Sequence, residues 1–140
     1  MPGPTQHSAP PTPLVALAGW LIPGAGYFLI GHHKRALVVG VSVIVLFLLG
    51  ILIAGVAVVE APNFGGGGSL LGGVLQKPWF LGQMMTGPIG LISAWIAQGV
   101  ADDYPAAKAR LGEIGTLYTA VAGMLNLLAI IDAAHRAANK

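Results

Sequence analysis

Between residues 36 and 59 the chain reads ALVVGVSVIVLFLLGILIAGVAVV, 24 residues with no charge and Ser42 as the single polar side chain. As a helix this run is about 36 Å long, enough to cross a bilayer with some tilt. It has no polar face at any rotation, so it cannot lie on the surface of a soluble domain. The rest of the chain agrees. Of 140 residues, 55% are hydrophobic and 9% are charged, against about 25% charged in soluble domains. So few charges cannot coat a soluble surface, and so apolar a chain is not intrinsically disordered. The expected class is an integral membrane protein.

Three further apolar stretches follow from the same test of about 20 apolar residues per crossing. Residues 78–100, PWFLGQMMTGPIGLISAWIAQGV, carry no charge. Pro78 suits a first helical turn, Trp79 suits a membrane boundary, and Pro88 predicts a kink. Residues 114–131, IGTLYTAVAGMLNLLAII, have Glu113 and Asp132 just outside. Residues 14–30 are interrupted by Pro23-Gly24-Ala25-Gly26. Read whole, they form one short span kinked at Pro23. Read strictly, they form two half-helices in a re-entrant hairpin. The kinked span is preferred, because irregular backbone in lipid needs protein to cover it and a short chain offers little. The expected fold is therefore all-α, a bundle of four transmembrane helices built as two antiparallel hairpins. Residues 1–13, with five prolines and no Lys or Arg, read as a disordered tail and lack the positive start of a secretory signal. Residues 135–140 read as a basic tail. No internal repeat stands out.

Net charge is +2, with Lys and Arg scattered, which gives no footing for nucleic acid. The chain has no cysteine, which removes disulfides and thiol chemistry. Four spans would place Lys34, Arg35, Lys108 and Arg110 on one side and Lys77, Arg136 and Lys140 on the other. The dense Lys34-Arg35 pair then favours a cytoplasmic 31–35 turn.

Small residues recur every fourth position at Gly82, Thr86, Gly90 and Ala94, and again at Gly115, Thr119 and Gly123. Such ladders let helix backbones approach closely in lipid. They predict that the third and fourth spans pack on each other, with a dimer or partner interface as the other use. Asn126 is an amide in an apolar helix, expected to find an interhelical hydrogen bond because leaving it unpaired costs several kcal/mol. Gln83 and Gln98 read as interfacial. His32, His33, Lys34 and Arg35 form a solvated turn or a small site for anionic headgroups. Asp132 and His135 share a helix face, but no nucleophile or metal ligand accompanies them. The glycine run at 65–68 lacks the Lys and Ser/Thr of a phosphate loop and reads as a linker. Asp102-Asp103 reads as solvated. No catalytic, cofactor or metal residue is assigned.

The segment GWLIPGAGYFLIGHHKR at 19–35 resembles the opening of small bacterial TM2-like membrane proteins. GTLYTAVAGMLNLLAIIDA at 115–133 is similar to a family of uncharacterised bacterial multi-pass proteins. These resemblances imply a bacterial inner-membrane protein and no reaction. The function expected is a non-enzymatic scaffold or accessory subunit that associates with lipid, with other membrane proteins or with itself. The alternatives are small-solute permeation as an oligomer and, least favoured, a membrane enzyme using Asp132 and His135.

Overall fold

The computed structural model describes residues 10–55, 58–59, 78–100 and 109–139, which contain helices and no strand. The helices are α1 (Thr12–Leu21), α2 (Ala25–Leu29), α3 (His33–Ala54), α4 (Pro78–Met84), α5 (Pro88–Val100) and α6 (Ala109–Ala138). The tail expected at 1–13 falls on undescribed residues up to position 9, and the helix already begins at Thr12. The linker at 65–68, Asp102 and Asp103 lie outside the described residues, as does the side chain of Gln98.

The two long helices α3 and α6 form the frame. Both are long and apolar enough to cross a membrane. They run antiparallel: Gly50 of α3 stands against Gly115 and Thr119 of α6, while Ala36 clusters with Ala129, Ala133 and Ala137. Small residues at both levels bring the backbones together. A Cβ on Gly50 would come within 2.8 Å of the Gly115 carbonyl oxygen. The outward faces are apolar stripes at helical spacing, with Leu37, Val41, Val45, Leu48 and Leu52 exposed on α3 and Leu117, Val121, Leu128 and Ile131 on α6. The core helix of a soluble protein would cover such stripes. α3 is shifted from the expected 36–59: His33, Lys34 and Arg35 form its first turn, and Gly55 at φ 80° ends it. α6 outruns the expected 114–131 at both ends, so most of the supposed basic tail is its last turn.

The first and third apolar stretches are not single helices. Each is broken and folds back on itself. Pro23 has no N–H to continue α1, and Gly24 at φ 89° turns the chain out of the right-handed helix. Gly26 then lies beside Val15, where a Cβ would sit 3.0 Å from the Val15 carbonyl oxygen. In a continuous helix those residues would be about 16 Å apart. The kinked span is thus replaced by the strict reading, a hairpin of two half-helices. The third stretch behaves alike. Gly87 takes φ 84°, Pro88 opens α5, and Gly90 packs against the Gln83 carbonyl. Phe80 and Ala94 share one cluster, which a merely kinked helix would hold far apart.

What covers these tips is the α3–α6 frame. Pro23, Gly24 and Gly87 are buried, and a Cβ on Gly40 of α3 would come within 2.6 Å of the Pro23 carbonyl oxygen. The chain therefore repeats a pattern, helical hairpin then long helix, with the two long helices antiparallel. The sequence signal is Pro-Gly-x-Gly at 23–26 and Gly-Pro-x-Gly at 87–90, which periodicity alone does not reveal as a repeat. The charge distribution changes accordingly. Tyr27 of α2 bonds to Asp132 near the end of α6, and Ala36 in the first turns of α3 clusters with Ala133 and Ala137, so Lys34, Arg35, His135 and Arg136 share one end of the bundle. Arg110, at the start of α6, marks the other. Four alternating spans had separated Arg136 from Lys34 and Arg35.

Candidate functional site: a polar junction between two hairpins

The hairpins meet halfway along α6, at Asn126. Pro23 cannot donate to the carbonyl one turn behind it, so the Gly19 carbonyl is left without its helical partner. The Asn126 side-chain amide donates to that oxygen at 3.2 Å and to the Met85 carbonyl, beyond the end of α4, at 2.9 Å. One side chain thus ties the broken end of each hairpin to the frame. The tips also touch directly, since a Cβ on Gly87 would strike the Trp20 carbonyl.

A polar layer extends from this point between α4 and α6. Gln83, Thr86, Thr119 and Asn126 are all 0% exposed. Gln83 Nε2 donates to Thr119 Oγ1 at 2.8 Å and to the Val58 carbonyl at 3.2 Å. Thr119 donates back to the Gly115 carbonyl at 3.0 Å. Within this layer three oxygens lack any hydrogen-bond partner among the described residues: Gln83 Oε1, Thr86 Oγ1 and Asn126 Oδ1. Gln83 is accordingly not interfacial. A straight span over 78–100 would put it near one end, whereas the hairpin carries it to the centre.

The small-residue positions are all buried, but they serve several contacts rather than one shared face. Gly82 lies on Ala120 and Gly123 of α6, and Thr86 Oγ1 comes within 3.0 Å of where a Cβ on Gly123 would sit. Gly115 and Thr119 face Gly50 of α3 instead. Gly90 packs on its own hairpin, and Ala94 joins the cluster of Phe80 and Ala122. The break at 85–87 rotates the second half of the ladder away from the first.

The basic turn and the acid–base pair lie at the end of the bundle. His33 packs edge-on against Phe28, ring centroids 4.5 Å apart, while Lys34 and Arg35 are exposed. The Asp132 carboxylate accepts from Tyr27 Oη and from Arg136 Nε, both at 2.7 Å. His135 pairs with Asn139. Asp132 and His135 therefore form no dyad: Asp132 holds α2 to α6, and its solvent-screened ion pair with Arg136 adds little. Among the described residues no three His, Asp or Glu side chains come together as metal ligands.

The model of DUF6677, a family of unknown function, matches residues 14–140, a range that takes in both hairpins and both long helices. No curated protein and no solved structure matches the chain.

Proposed function

Since the chain belongs to DUF6677, a family of unknown function, we propose a role from its own geometry: a non-enzymatic, multi-pass protein of the bacterial inner membrane that lets a small solute cross, acting as an oligomer. In this reading α3 and α6 span the bilayer and the hairpins enter it from opposite faces. The observation that carries it is the meeting of two half-depth hairpins at the buried Asn126 amide. Broken helices that meet near the midplane, in a repeat of inverted direction, are how many transporters build a polar site in lipid. Irregular backbone at that depth is tolerated where protein buries it. The positive-inside rule favours a cytoplasmic location for the end bearing Lys34, Arg35 and Arg136.

A second reading keeps the protein as a scaffold or accessory subunit. The crevice beside Asn126, lined by Gly19, Gly26 and Ala133 among others, is too tight to hold a water, which favours a packed structural core. The small-residue faces are spent inside the chain, so partners would meet the exposed apolar stripes. Lys34 and Arg35 would add about 1 kcal/mol each toward anionic headgroups.

Because the chain lacks cysteine, single cysteines report topology directly. His32→Cys and Asn139→Cys are expected to react with an impermeant thiol reagent from the same side, and Glu113→Cys from the opposite side. Labelling of positions 32 and 139 from opposite sides would restore four crossings. The role is read by flux from proteoliposomes loaded with sodium, potassium or small polar solutes. Flux above that of empty vesicles is expected. Silence for all of them, with a native particle containing other proteins, transfers the assignment to the scaffold reading.

A further inference from the structure

We infer that the junction of the two hairpins binds a dehydrated monovalent cation of sodium size, with Asn126 Oδ1 and Thr86 Oγ1 as ligands. The inference deepens the permeation reading and rests on it for the cation's purpose, while the site itself is argued from side chains. The unpartnered groups in the polar layer are all oxygens, from Gln83, Thr86 and Asn126; the two amide oxygens can only accept, and the Thr86 hydroxyl can accept as well as donate, so the two amides lack a positive partner. Asn126 and Thr86 are neighbours where the end of α4 meets α6. The Asn126 amide is bonded to Met85, the residue before Thr86, and Thr86 Oγ1 lies against Gly123, one turn before Asn126. Gln83 stands about one turn earlier, inside α4. A buried acceptor left unmet costs free energy, and three together need a common explanation.

Charge and size select the ligand. The cluster holds neutral oxygens only, and the Asp132 carboxylate, further along α6, is engaged by Tyr27 and Arg136. Magnesium and calcium call for carboxylates, whereas rings of neutral oxygens replace the hydration shell of a monovalent ion. The crevice on the first-hairpin side of Asn126, which neither Thr86 nor Gln83 lines, has no room for water, and a bare sodium ion is smaller than a water molecule. The C-terminal end of α1, whose Gly19 carbonyl reaches the junction, adds the negative end of a helix dipole. Half-helix ends and freed carbonyls are a recurring setting for sodium in membrane proteins.

The test is thermal unfolding of the full chain in mild detergent, in lithium, sodium, potassium or choline chloride at one ionic strength. Sodium is expected to raise Tm by about 5 °C over choline at saturation, with potassium weaker. Thr86→Val keeps the side-chain shape and removes one ligand oxygen. It is expected to lose the sodium shift while remaining at least as stable as the parent in choline, since an unpartnered buried hydroxyl has gone. Equal Tm in all four salts overturns the inference and leaves ordered water or packing to account for the oxygens. So does a sodium shift that survives both Thr86→Val and Asn126→Leu. A sodium shift without flux supports the site and removes the permeation reading, whereas flux without a shift does the reverse.

Discussion

Gly123→Ala is expected to be the most damaging single-methyl change in the protein, costing on the order of 3 kcal/mol. A Cβ at this position would drive into the Gly82 carbonyl of α4 and press on Thr86 Oγ1. Neither neighbour is the far end of a flexible side chain. Relief requires the whole hairpin to lift off α6, which also pulls Gln83 from Thr119 and Met85 from Asn126. The control is Gly112→Ala on the same helix, where nothing stands within 4 Å of the added methyl. There the gain in helix propensity is expected to stabilise by about 0.8 kcal/mol. Thermal unfolding of both variants in one detergent checks the pair. Equal effects would show that α4 does not seat on Gly123.

Asn126→Leu is the second large change. The leucine fits an apolar helix in lipid, so propensity and hydropathy both favour it. It nonetheless removes the donor for two buried carbonyls, Gly19 and Met85, at about 1–3 kcal/mol each. That exceeds the ~0.6 kcal/mol average for a polar contact between membrane helices, because one amide serves two hairpins. The effect should also be local. Protease or thiol accessibility at the hairpin tips is expected to rise while α3 and α6 stay paired, since their contact rests on Gly50, Gly115 and the alanines near Ala36. Uniform unfolding of the whole chain would instead mean that the frame depends on the hairpins.

The two long helices were legible because their signal is cumulative: many apolar residues in a row, each adding to the same conclusion. The hairpins were not, because reversal hangs on single residues. Pro23 and Pro88 announce an interrupted helix, and both a bend and a reversal satisfy that. The decision lies with Gly24 and Gly87, whose positive φ is visible only once the return arm is seen packing back. Cover for the tips comes from α3 and α6 together, and α6 lies about a hundred residues downstream of the first hairpin, which no local window contains. The same error propagated to Gln83, read as interfacial from its place in an assumed straight span, and to the sidedness of Arg136. Asn126 was legible as a group that must find a partner. That its partners would be two carbonyls at the ends of two broken helices follows only from the topology.

The hydrogen bond from Asn126 to Gly19 joins residues 107 apart in sequence. A ribosome adding about 5–20 residues per second needs roughly 5–20 s to make the second partner after the first. Through that interval the nascent first hairpin carries a carbonyl with its proline-broken bond unmet, beside a lone α3. The first hairpin is therefore completed late, and α6 acts as the latch that closes it.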